Sequence, residues 1–149
     1  MTILSLTHFL PYRLSLLANH VSEDLAGLYA ARFSLSIPEW RVVAILGREA
    51  PLSAAEIARA TAMDKVQISR AVSRLVKAGR LRRKIDHSDR RRSVLALSKK
   101  GQTVYRKIVP LALAFEADLT SALSVGERKT LWRLIDRLEA RYAASEPRE

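Results

Sequence analysis

The chain of 149 residues has no cysteine, only five glycines and 6% aromatic residues. Without cysteine the fold cannot rest on disulfides, thiolate zinc sites are excluded, and no thiol can sense oxidants. The three histidines, His8, His20 and His87, are scattered, which argues against an imidazole-built copper or zinc site. No metal or cofactor is expected. The glycines form no phosphate-cradling loop, no nucleophile is paired with a base, and no carboxylates fall at a useful helical spacing. Nothing therefore points to an enzyme. No apolar run approaches the roughly 18 residues that span a bilayer, and the apolar start lacks a basic lead and a small-residue cleavage site. The expectation is a soluble, cytoplasmic protein with no membrane association.

What the chain has in abundance is positive charge. Lys and Arg number 26 against 15 Asp and Glu, a formal net charge of +11 that favours a polyanionic partner. The charge is concentrated. Between Asp64 and Arg92 stand Lys65, Arg70, Arg74, Lys77, Arg80, Arg82, Arg83, Lys84, Arg90, Arg91 and Arg92, eleven cations against three acids. Such a cluster releases counterions when it meets nucleic acid.

Periodicity and capping residues divide the chain. Leu14, Leu17, Val21, Leu25 and Leu28 recur at helical spacing and predict an amphipathic helix from Leu10 to about Ala31. Ser36 with Glu39, and Pro38 between them, open a second helix running to about Arg48, with Trp40, Val43, Ala44 and Leu46 as apolar content. Ser53 with Glu56 opens a short helix, and Asp64 with Gln67 opens another eleven residues later. That last helix is expected to bury Ile68, Ala71, Val72, Leu75 and Val76, to turn Lys65, Gln67, Ser69, Arg70, Ser73, Arg74 and Lys77 outward, and to stop at Gly79. Two short helices about a tight turn, the second polar and basic outside, describe a helix-turn-helix. Leu81 to Ile85 and Val94 to Leu97 read as strands of a hairpin with a charged tip. Ser98 caps a long helix to about Ala122 in which Pro110 predicts a bend, and Ser124 with Glu127 opens a final helix carrying Leu131, Ile135 and Leu138. The tail from Ser145 is expected to fray.

This order of elements, from about Leu10 to Ala143, resembles the multiple antibiotic resistance regulator (MarR) family. The most specific segment is residues 86–101, DHSDRRRSVLALSKKG. It is similar to the family's wing signature of Asp-x-Arg, an apolar strand, Leu-Thr and a glycine, with Ser98 where threonine is usual. The resemblance implies a mainly α (α+β) fold: a winged helix-turn-helix with N- and C-terminal dimerisation helices. Residues 1–149 would form one domain, with a DNA-binding lobe at 35–100 and dimerisation helices at 1–34 and 101–145. It further implies that Arg91 enters the minor groove while Asp89 orients its guanidinium.

On the recognition helix, Arg70 and Gln67 suit bidentate contacts to guanine and adenine, although Gln67 also serves its capping box; Lys65, Ser69 and Arg74 suit phosphate. Ser53, Ser73, Arg83 and Arg90 complete the expected DNA-contacting set, with Arg82 and Lys84 either gripping phosphate or keeping an edge strand soluble. A helix-turn-helix monomer spans one half-site, so a homodimer on a palindromic duplex operator is the expected assembly. The resemblance implies a small aromatic effector between the dimerisation helices and the DNA-binding lobe; His8, Phe9, Tyr12, Arg13, Trp40 and Arg41 bring to that region aromatic and cationic groups suited to an aromatic acid or an acyl thioester, or else serve as plain core and ion pairs. The functional expectation is a sequence-specific DNA-binding regulator, and the resemblance implies a repressor released by a ligand. The competing reading is a nonspecific architectural or RNA-binding protein, against which the absence of aromatics in the basic stretch argues.

Overall fold

The computed structural model describes residues 3–89 and 92–143; Arg90, Arg91 and the tail from Ser145 lie outside the described residues. A single 3-10 turn at Leu6–His8 precedes α1 (Leu10–Phe33), α2 (Ile37–Glu49), α3 (Ala54–Thr61) and α4 (Lys65–Lys77). Strands β1 (Leu81–Ile85) and β2 (Ser93–Leu97) follow, then α5 (Lys99–Leu119) and α6 (Val125–Ala143).

Local chemistry sets the helix starts. Ser36 with Glu39, Ser53 with Glu56 and Asp64 with Gln67 each form a reciprocal capping box that satisfies two otherwise orphan amides. Ser124 with Glu127 does the same for α6 at 2.7 and 3.2 Å. Beyond α4, Gly79 adopts φ +72°, a left-handed conformation that costs glycine little. Ser98 begins α5 by accepting the Gly101 amide at 3.0 Å while donating to the Gly79 carbonyl at 2.6 Å. Gly101 is needed there because a Cβ would collide with the Arg80 carbonyl oxygen. The expected bend at Pro110 does not interrupt the element, which runs through the proline as one helix.

Internal contacts divide the chain into two compact units, Met1–Ile108 and Val109–Glu149. The first holds a core of Tyr29, Leu35, Val42, Val43, Leu46, Ile57, Met63, Ile68, Ala71, Val72, Leu75, Leu81, Leu95, Leu97 and Ile108. Each large member contributes roughly 1.5–3 kcal/mol on burial. Tyr29 stacks at a tilt on Trp40, with ring centroids 4.8 Å apart. In the antiparallel hairpin Leu81 faces Leu97 and Arg83 faces Leu95, and Leu52 extends the sheet by exchanging backbone bonds with Leu95 at 3.1 and 2.7 Å. The second unit, the end of α5 with α6, has none of its described residues buried. Its Leu113, Leu119, Val125, Leu131, Trp132, Leu134 and Leu138 are exposed in the single chain.

One expected core position is corrected. Val76 is 39% exposed, whereas Ile68, Ala71, Val72 and Leu75 are at most 3% exposed. Those four recur at intervals of three and one, along one stripe; Val76 lies about 100° further round the helix than Leu75 and leaves it.

Candidate nucleic-acid interface

The recognition helix is held from behind and presented in front. Its inner stripe is seated in the core, and Lys65, Gln67, Ser69, Arg70, Ser73 and Arg74 are all exposed. Gln67 does serve its capping box: its backbone amide donates to Asp64 Oδ1 at 2.8 Å, and its Oε1 accepts from the Asp64 backbone amide at 3.4 Å. That pairing leaves the side-chain nitrogen uncommitted.

The wing adds a further cation to this surface. Arg83 lines one cavity with Lys65 and Ser69, together with Ala54 and Ala58 of α3. Strand and recognition helix thus bring three of the expected contact residues together. At the tip, Asp86 Oδ1 accepts from the Ser88 amide at 3.0 Å and its hydroxyl at 2.7 Å, bonds that hold the Asp86 carboxyl below its ordinary range. The Asp89 carbonyl accepts the Arg92 amide at 2.9 Å, and the Arg92 carbonyl accepts the Asp86 amide at 2.8 Å. Arg90 and Arg91, the residues meant to reach furthest, lie outside the described residues.

Two cations of the basic cluster serve the scaffold, a role that counting charges does not reveal. Arg92 places Nη2 2.5 Å from Glu56 Oε1 and 3.5 Å from Ser53 Oγ, tying the wing to the start of α3. The Arg92 hydrogen bond, with those from the Ser53 amide and hydroxyl, pulls the Glu56 carboxyl down to about 2; Glu56 in turn raises Arg92. Ser53, expected on DNA, is only 9% exposed and its oxygen accepts the Glu56 amide at 3.2 Å. Arg80 turns inward, donating to the Phe33 carbonyl at 2.6 Å while its buried Nε has no partner among the described residues. The sequence signal for the Arg92 tie was the Glu56 carboxylate at a helix start facing a run of arginines. For Arg80 no local signal exists.

The residues considered for a small ligand fall into two groups. His8 Nδ1 lies 3.2 Å from Ser5 Oγ and 3.1 Å from Thr7 Oγ1; Phe9 and Tyr12 are 40% and 39% exposed; Arg13 donates to the Thr7 carbonyl at 3.1 Å. Trp40 and Arg41 instead line a cavity of about 430 Å³ with Ile45 and Thr61. Since Trp40 packs on Tyr29, seventeen residues along α1 from Tyr12, the helical rise separates the groups by about 25 Å. One chain does not bring them together.

Among the described residues no cluster of His, Asp and Glu is placed to hold a metal. No helix among the described residues is long and apolar enough to cross a membrane.

Comparison with known proteins agrees with this geometry. A MarR family model matches residues 33–92, the segment from the end of α1 to the wing tip. BilQ, an HTH-type transcriptional regulator of Clostridium symbiosum, is 28% identical over 96 residues, covering 64% of this chain and 67% of that protein. The fold is shared with a MarR/EmrR family regulator from Acinetobacter sp. ADP1, at a TM-score of 0.87 and 21% identity over 95% of this chain and 99% of that one. It is also shared with the PcaV regulator of Streptomyces coelicolor, solved with its natural ligand, at 0.78 and 23% identity over 94% and 98% of the two chains. The family and these relatives are transcriptional regulators, not enzymes. The helix-turn-helix of this chain is matched by the MarR family's own model, and the chain's architecture is repeated in solved MarR family regulators.

Proposed function

We propose that this regulator is a cytoplasmic homodimer that reads a palindromic duplex operator and represses from it until a small ligand releases it. The observation that carries the reading is α4. A helix with one face locked into the core and six polar or basic side chains on the other can enter a major groove without losing its seat, and Arg83 extends its cationic surface along the wing. In this reading Arg70 and Gln67 meet base edges, and Lys65, Ser69, Ser73, Arg74 and Arg83 grip phosphate. Ser53 serves this surface through its cap on α3 and its bond to Arg92, Arg90 adds a phosphate contact, and Arg91, oriented by Asp89, enters the minor groove. Residues 35–100 act as the DNA-binding lobe, while 1–34 and 101–145 make the dimer, whose burial of the exposed leucines of α1 and α6 supports the assembly.

The releasing ligand is a small aromatic or phenolic-type acid, or an acyl thioester, whose flat body packs on Trp40 and whose anion meets Arg41. PcaV, of the same fold, binds its natural ligand. Because α1 keeps His8, Phe9, Tyr12 and Arg13 about 25 Å from Trp40, a pocket using both groups is completed across the dimer.

Selection of random duplexes at about 0.15 M salt tests the reading. We expect an imperfect palindrome with half-site centres about one helical turn apart, and a loss of about 1–3 kcal/mol in operator affinity for Arg70→Ala, with relaxed specificity at one position. Arg91→Ala should bind the same palindrome poorly. Failure to enrich any motif would turn the protein into a nonspecific nucleic-acid binder.

A further inference from the structure

A cavity of about 410 Å³ opens between the end of α2, the base of the wing and the start of α5. No residue of α3 or α4 lines it, and neither Trp40 nor Arg41 does; among the described lining residues only Arg48 also borders the Trp40 cavity. The pleat of β1 separates this cleft from the DNA-facing surface. Side chains alternate along a strand, so Arg83, opposite Leu95, faces the recognition helix, while Arg82 and its partner Ala96 face the other way.

The floor of the cleft is apolar and closely packed. Leu46 and Leu97 are buried, and the half-buried Tyr105 ring lies so close to Gly47 that a Cβ at that position would collide with it. Only a glycine lets the ring lie against α2. Three arginines, Arg48, Arg82 and Arg106, and Gln102 line the cleft around this floor. Arg48 lies 3.4 Å from the exposed Glu49. Arg82 and Arg106 have no hydrogen bond or ion pair among the described residues, and none of the described lining residues is acidic.

Cations gathered at one mouth, two of them without a counter-charge among the described residues, raise the local potential and draw in anions. One carboxylate satisfies one guanidinium through its fork; three guanidiniums suit a ligand with two or more negative charges. A bare inorganic anion would leave the Tyr105 ring and most of the volume unused. We propose that this cleft binds a small organic polyanion, a phosphate ester or a polycarboxylate, with its charges among Arg48, Arg82 and Arg106 and its body on Tyr105. The site is distinct from the ligand contact at Trp40 and stands whether or not that reading holds. Its occupant bridges three elements, and so fixes the base of the wing against α2 and α5.

Calorimetry on the full chain at about 0.15 M salt tests this without DNA, using citrate as the polycarboxylate and AMP as the phosphate ester. Sulfate serves as the bare ion and benzoate as the monoanion. The expected result is that citrate or AMP binds with one site per chain, more tightly than sulfate or benzoate, and whichever binds identifies the class. Arg82→Gln/Arg106→Gln should weaken it by about tenfold or more, whereas Lys129→Gln/Arg137→Gln, an equal loss of charge on α6, should leave it within about twofold. In the unaltered protein the Nε–Hε resonances of Arg48, Arg82 and Arg106 should shift along the same isotherm, a readout that does not depend on any variant folding. Absence of binding by both probes, equal weakening in both variants, or equal affinity for sulfate or benzoate would overturn the proposal.

Discussion

The stretch from Tyr29 to Ile108 contains every buried apolar side chain among the described residues, while the first half of α1 and all of α6 contain none. Both regions are helical and both carry leucines at helical spacing. They differ in what the leucines meet. In the middle, short helices turn back on one another and each apolar stripe finds a neighbour within the same chain. At the ends, long helices project Leu10, Leu14, Leu17, Leu131 and Leu138 into solvent, each at least 42% exposed. The lesson is that the middle carries its own stability, and the ends depend on another surface.

The sharpest way to break that contrast is to empty the core. Leu75→Ala, at a fully buried site of α4, should cost about 3 kcal/mol or more in urea unfolding. At the ends the outcome differs in kind. Leu17→Asp should leave the helical content of the chain intact, yet shift the sedimenting species toward the monomer and weaken operator binding by about tenfold, since a single reader spans one half-site. An unchanged dimer would mean that α1 is not part of the interface.

The Glu56–Arg92 tie gives a smaller, pH-limited effect. Glu56 titrates near 2 in the folded chain, below its unfolded value of about 4.3. Its stabilising contribution is therefore complete above about pH 4.3 and is lost as pH falls through 2. The carboxyl carbon of Glu56 should show no titration between pH 7 and 4 by NMR; a midpoint near 4 would mean that the wing is untied in solution. Smallest of all is Val76→Ser, one residue beyond the core stripe, which should change stability by less than about 0.5 kcal/mol in the same urea measurement.

Much of this architecture is readable from the residues because helix starts are local events. The hydroxyl or carboxylate of Ser36, Ser53, Asp64 and Ser124, each with an acid or amide three residues on, acts within one turn, so neighbours in sequence decide it. The outward set on α4 follows for the same reason, from the helical period. What escapes is whatever depends on distance. Arg80 and Arg92 are indistinguishable in sequence from the cations beside them, yet one reaches Phe33 across 47 residues and the other reaches Glu56. Trp40 and Tyr12 look like parts of one aromatic cluster until the length of α1 is laid between them. The Leu6–His8 turn is too short to show any period.

Arg80 also joins parts that the chain separates. Its guanidinium holds the final turn of α1 at Phe33, its carbonyl accepts the Ser98 amide at 3.0 Å, and that same oxygen lies where Gly101 alone leaves room for it. The end of the first helix, the foot of the wing and the first turn of α5 are thereby pinned at one peptide. A push on the start of α5 would be passed by that peptide to both its neighbours at once, with no slack to absorb it, so movement at this joint is shared by all three or does not occur.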